Sequence, residues 1–235
     1  MSIDLTGITN KNEYYTNHYF STIFEESASE AITAWTLAAK SSQEIRTPWV
    51  QLRQNARQFY PLHDRYAGGA LNLQLLAAIR LMADRYLASL GYPEAAPELV
   101  PVDASLSVPV YLEMKKNNGA PLLWVMLSAS RESDAGILEG NVFDGSIAEE
   151  DAFGAVHSGD LLELKNEDLA TQILFGSAEP PRFLLFISLN QIALIDRNKW
   201  SEKRYLQFEL EDIFSRLELT TLQAMVVLLH KDSLC

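Results

Sequence analysis

The spacing of apolar residues changes near residue 97, and this change constrains the fold more than any other feature of the sequence. Before it, apolar residues recur every three or four positions, as in the run ALNLQLLAAIRLMADRYLASL, which is typical of helices. After it, VPVYLEMKK alternates in steps of two, as a strand does, and the hairpin-forming pair Asn118-Gly119 follows. The sequence therefore predicts helices in its first part and a sheet in its second.

The first part is predicted to consist of helices. Thr47 and Pro48 are of the types favoured just before a helix and at its first position, so one helix is expected to begin there. Gly91 is expected to end the next helix. Two shorter helices are expected over the runs NHYFSTIFEES and SEAITAWTLAAK.

The second part is predicted to contain two hairpins with helices around the second. The return strand of the first, PLLWVMLSA, is nearly all apolar and expected to be central, and PELVPVDAS is expected to supply a preceding strand. The second hairpin is RFLLFISLNQIALIDRNKW. Helices are expected over NEDLATQILFG, capped by Asn166, and over TTLQAMVVLLHKDSLC, while YLQFELEDIF passes from strand into helix. The segment 130–160 is expected to be an irregular acidic insertion.

This order of elements predicts an α+β fold. An N-terminal helical layer is followed by a mixed β-sheet with flanking helices. Residues 1–95 would form the helical part and residues 96–235 the α+β part, or the two would be one continuous domain.

Charge and cysteine content limit the classes of function. The chain has 19 Lys and Arg against 31 Asp and Glu, a net charge of −12, which argues against non-specific nucleic-acid binding by its whole surface. A local basic path remains compatible with this charge. The only cysteine is Cys235, which fits a reducing cytoplasm. The longest apolar run, near FLLFISL, is too short to cross a bilayer, so a cytoplasmic location without a membrane partner is expected.

The stretch PVDASLSVPVYLEMKK carries the best candidates for chemistry. Residues two apart on a strand point the same way, so Glu113 and Lys115 are expected to share a face. With Asp103, they supply the groups of a metal-dependent phosphodiesterase: two carboxylates hold Mg²⁺, and the ammonium positions water or steadies developing charge. Asp103 and Glu113 are the candidate metal ligands.

An ordinary strand explains the same residues. Half-exposed strands commonly carry Glu and Lys outward, and a tight loop over residues 104–107 would place Asp103 roughly 17 Å from Glu113 at the usual rise per residue. A bend or bulge would be needed to bring the two carboxylates together, and Pro109 makes some irregularity plausible.

Several arginines of the predicted helices could touch DNA phosphates. Solvated helix faces and ion pairs along the helix explain them equally well. They are Arg46, Arg53, Arg57, Arg65, Arg80 and Arg85.

A resemblance to a known family rests on stretches found in order along nearly the whole chain. They are ITNKNEYYTNHYF, RQFYPLHDRY, LASLGYP, VPVYLEMKKNNGAPLLWVMLSA, PRFLLFISLNQIALIDRNKWSEKRYLQFELEDIF and LQAMVVLLHKDSL. Together they resemble the amino-terminal region of large bacterial restriction–modification methylases, which are type IIG-like and DISARM-like adenine-specific DNA methyltransferases.

The resemblance implies a restriction-endonuclease-like, PD-(D/E)xK domain ahead of a methyltransferase in a phage-defence protein. The catalytic acids and lysine would be Asp103, Glu113 and Lys115, with Mg²⁺ as cofactor and DNA as substrate. The chain has no Asn-Pro-Pro-Tyr motif, so methylation is expected of a further domain or subunit. Two functions stay open: a Mg²⁺-dependent DNA endonuclease, or a catalytically inactive module that binds DNA or a partner for the methyltransferase.

Overall fold

The computed structural model describes residues 4–42, 45–67, 73–128, 136–142 and 164–235. In these ranges the chain forms a mixed six-stranded sheet, a separate two-stranded ribbon, and helices on both faces of the sheet. The α+β class with flanking helices is confirmed. No helix in these ranges is long and apolar enough to span a membrane.

The strands and helices have the following bounds. The strands are β1 (Ile8–Lys11), β2 (Glu98–Pro101), β3 (Ser107–Val110), β4 (Leu112–Lys115), β5 (Pro121–Leu127), β6 (Phe183–Ile187), β7 (Gln191–Asp196) and β8 (Tyr205–Glu209). The helices are α1 (Phe24–Ser41), α2 (Pro48–Tyr66), α3 (Leu73–Ser89), α4 (Asn166–Gly176), α5 (Arg197–Trp200), α6 (Leu210–Arg216), α7 (Leu219–Leu229) and α8 (Lys231–Leu234). A π-helical turn, Tyr19–Ile23, leads into α1.

The large sheet has the strand order β1–β8–β7–β6–β5–β4. Its neighbours are antiparallel except β5 and β6, which are parallel and whose connection contains α4. A parallel pair needs such a crossover because the chain must return to the same end of the sheet. Strands β2 and β3 pair with each other and form the ribbon.

An apolar layer covers each face of the sheet. In β6, Phe183, Leu185 and Ile187 face the first layer, whereas Leu184 and Phe186 face the second. The first layer contains side chains of α1, α2, α3, α6 and α7, and the second contains those of α4 and the ribbon. Burial on both faces explains why the central strands are apolar at nearly every position.

Helices α1, α2 and α3 occupy most of residues 1–95, as predicted. Pro48 is the first residue of α2, and Gly91, with φ +77, follows α3. The two short helices expected before α2 are continuous with each other, because the first covers the π-helical turn and the start of α1. Ile8–Lys11 is a strand because it pairs with β8. Side chains from residues 1–95 and 96–235 share the first apolar layer.

The predicted single strand VPVYLEMKK is two strands, β3 and β4, which meet at Tyr111. Its alternation predicts that Val108, Val110, Leu112 and Met114 share one face. In the structure the two valines pack into the second layer, whereas Leu112 and Met114 pack against the first. That prediction is wrong because Tyr111 is buried as well, with its hydroxyl donating to Asp84 of α3. Two successive residues, Tyr111 and Leu112, therefore face the first layer, and the alternation changes phase there.

One predicted cap also differs. Asn166 is the first residue of α4 rather than its cap, and its buried amide donates to the Ser128 Oγ and the Ile137 carbonyl. The expected insertion at 130–160 lies outside the described residues, apart from 136–142.

Candidate functional site

Glu113 and Lys115 lie side by side on β4, an edge strand of the sheet. The Lys115 Nζ is 2.8 Å from the Glu113 Oε2. The glutamate side chain is only 12% exposed, whereas the lysine is 56% exposed. The predicted shared face is confirmed, and the two residues form an ion pair with one partner largely buried.

The second oxygen of Glu113 is bound to Trp124. Its Oε1 accepts a hydrogen bond from the indole Nε1 at 3.0 Å. Trp124 is the residue directly opposite Glu113 on β5, and such cross-strand neighbours are in contact. Both carboxylate oxygens are therefore used within the protein. On the lysine side, the hydrogen bond to Glu113 raises the pKa of the Lys115 ammonium.

Asp103 lies in the loop between β2 and β3, where its carboxylate organises the turn. Its Oδ1 accepts hydrogen bonds from the Ser105 backbone N–H at 2.7 Å, the Ser105 hydroxyl at 2.9 Å and the Leu106 backbone N–H at 2.9 Å. These bonds, those from Ser105 first, lower the pKa of the Asp103 carboxyl. Side chains of this type commonly bind the backbone two residues on in tight turns.

A cleft of about 390 Å³ opens between the ribbon and β4. Its walls include Glu98, Glu113, Lys115 and Trp124, but Asp103 does not line it. Glu98 begins the ribbon near Lys115, where its negative charge also raises the pKa of the lysine. Asp103 follows the other end of β2, and a ribbon of this length separates its ends by about 10 Å. The structure thus brings Glu113 and Lys115 together and places Asp103 elsewhere.

Asp103 and Glu113, the predicted ligands of a shared Mg²⁺ ion, have different surroundings. Mg²⁺ is held by oxygen ligands at short distance in near-octahedral geometry, usually carboxylates and water. Across the ranges that the structure describes, no three His, Cys, Asp or Glu side chains are grouped so that they could hold a metal ion. A metal at Glu113 would share the carboxylate oxygens with Lys115 and Trp124.

The role of Trp124 was within reach of the sequence but was not predicted. A two-residue turn at Asn118 and Gly119 pairs residues whose numbers sum to 237, which sets Trp124 opposite Glu113. The structure has this register over most of β4, with an irregularity at Lys115. Glu98, by contrast, reaches the cleft only because the ribbon folds beside the sheet.

The predicted DNA-contacting arginines have different surroundings. Arg53 and Arg57 are exposed on α2 and line a groove beside α6. Arg65 donates to the Gln74 Oε1 at 3.3 Å.

No family model matches this sequence, and no curated protein and no solved structure matches it either. The resemblance to restriction–modification methyltransferases stays a prediction from the quoted stretches.

Proposed function

We propose that this chain is a nuclease-like module that does not itself cleave DNA. It supports an adenine-specific DNA methyltransferase of a restriction–modification or phage-defence system by binding DNA or a partner subunit. The stretches that resemble such proteins support the setting. The observation that carries the non-cleaving role is that both oxygens of Glu113 are engaged, one by Trp124 and one by Lys115.

Metal-dependent hydrolysis needs a carboxylate that is free to bind the ion and a lysine that can face the attacking water. Glu113 instead accepts two hydrogen bonds, one of them charge-assisted, while largely shielded from solvent. The position opposite it on β5 holds an indole rather than a second carboxylate. This pattern favours a structural role, in which Glu113 holds Trp124 at the rim of the second apolar layer.

Mg²⁺-dependent DNA phosphodiester hydrolysis is the second candidate function. The observation that favours it is that Glu113 and Lys115 lie together at an open cleft that also contains Glu98. In that case Glu113 would bind the metal and Lys115 would assist the water or the transition state.

Plasmid nicking separates the two functions. We expect supercoiled plasmid incubated with the purified chain and Mg²⁺ or Mn²⁺ to be nicked no faster than with Lys115→Ala or Glu113→Gln. Nicking by the unaltered chain that disappears in both variants would establish hydrolysis and overturn the proposal. A gel shift with duplex DNA at two salt concentrations tests the DNA-binding branch, because phosphate contacts weaken as salt rises.

A further inference from the structure

A groove of about 520 Å³ runs between α2 and the C-terminal end of α6. Its lining is largely apolar, with Ala56 and Phe214 buried in its floor and Val50 and Leu217 beside them. Val50 is 40% exposed, so apolar surface is open to solvent here. A cleft of this size with an apolar lining and a few polar groups is a common form of binding site.

Two arginines make this groove cationic. Arg53 and Arg57 are four residues apart on α2 and therefore lie on the same face of the helix. Both are exposed, and neither forms an ion pair with any residue in the described part of the chain. The sequence of α2 contains no Asp or Glu before Asp64. The groove thus has unneutralised positive charge in a chain whose net charge is −12.

At the end of the groove beside Tyr60, the polar groups already bind one another within the protein. Tyr60 donates a hydrogen bond to the Glu211 carbonyl at 3.3 Å, which joins α2 to α6. The Glu211 carboxylate lies 3.7 Å from the His63 Nε2. The acid at this end is therefore directed toward His63, and the two arginines stay open to an external partner.

We propose that this groove is a docking site for an acidic peptide segment of a protein partner. Carboxylates of the segment would pair with the guanidinium groups of Arg53 and Arg57, which suit two-point binding of a carboxylate. An apolar side chain of the same segment would pack on the floor formed by Phe214 and Leu217. Helical segments with apolar and charged faces bind grooves of this kind.

The composition of the groove favours a peptide over nucleic acid. DNA binding relies on many cationic contacts to phosphates, and an apolar floor gives phosphates nothing to bind. The groove shares no lining residue with the cleft beside Glu113, so a partner can bind in the groove whatever the role of Glu113.

Fluorescence anisotropy with the full chain tests the site. The probe is a fluorescein-labelled peptide in which Leu and Glu recur at three- and four-residue spacing, and its partner peptide carries Gln at every Glu position. We expect the Glu peptide to bind at least about ten-fold more tightly than the Gln peptide, because only the former forms charge-assisted bonds. Equal or absent binding of the two peptides would overturn the proposal.

A matched pair of variants assigns the binding to the groove. Arg53→Glu with Arg57→Glu should weaken binding of the Glu peptide by at least about ten-fold. Lys40→Glu with Lys116→Glu makes the same charge change at exposed positions outside the groove and should have a much smaller effect. Circular dichroism confirms that both variants are folded. Equal weakening by the two pairs, or tighter binding of a short DNA duplex through the same arginines, would also overturn the proposal.

Discussion

Replacing Glu113 by alanine should destabilise the protein, and the size of the loss distinguishes a structural residue from a catalytic one. In the alanine variant the Trp124 indole N–H loses its acceptor. Trp124 is 1% exposed, and leaving a buried donor without a partner costs about 1–3 kcal/mol. Water entering from the cleft would replace part of this bond, so we expect a loss of about 1–2 kcal/mol in the free energy of unfolding.

Two further variants separate the contribution of the hydrogen bond to stability from the contribution of the charge. Glu113→Gln keeps a carbonyl oxygen that can accept from Trp124, so it should lose less than the alanine variant. Lys115→Ala removes only the ion pair, and its effect should be small because this lysine is 56% exposed. For a chain of this size, a loss of about 1–2 kcal/mol corresponds to a decrease of roughly 2–8 °C in Tm.

Urea unfolding followed by tryptophan fluorescence measures these differences. The double-mutant cycle with Trp124→Phe isolates the bond, because Glu113→Ala should cost less once the indole N–H is gone. A catalytic carboxylate predicts the opposite result, since replacing functional residues often stabilises a protein. If Glu113→Ala is as stable as the unaltered chain or more stable, the structural role assigned to Glu113 is incorrect.

Both Gly91 and Gly119 have positive φ, which costs a side chain about 1–2 kcal/mol. Gly91→Ala should lower Tm more than Gly119→Ala, because only its Cβ would lie 2.7 Å from the His230 Nε2. Burial lowers the pKa of His230, so the unfolded chain binds the proton more readily. The free energy of unfolding measured in urea should therefore decrease as pH falls below about 6.5, and it should decrease less steeply in His230→Gln. A free energy of unfolding that does not change over this pH range in the unaltered chain would contradict this. Tyr111→Phe removes the bond to Asp84 and should cost about 1 kcal/mol in the same assay.

Features that depend on neighbours along the chain could be predicted from the sequence. The alternation of β4 and the Asn118-Gly119 turn were sufficient to put Glu113 and Lys115 on one face and to predict the hairpin. Pro48 and Gly91 marked helix ends for similarly local reasons.

Features that depend on distant parts of the chain could not be predicted in the same way. The change of face at Tyr111 requires Asp84 of α3, and nothing in VPVYLEMKK indicates that partner. Asp103 is of a residue type that binds metal ions, but its carboxylate accepts hydrogen bonds from Ser105 and stabilises the turn. Spacing in sequence cannot distinguish these two roles.

The pairing of β1 with β8 has a consequence for synthesis of the chain. Ile8 faces Phe208 across the sheet, so β1 cannot dock until about 200 further residues have been added. At ordinary translation rates this takes roughly 10–40 s. During that delay β1 has no partner strand, and whenever β1 detaches from the folded protein the backbone groups of β8 form an open edge that can pair with another molecule. As a short edge strand, β1 thus covers β8 and limits the pairing of β8 with other molecules.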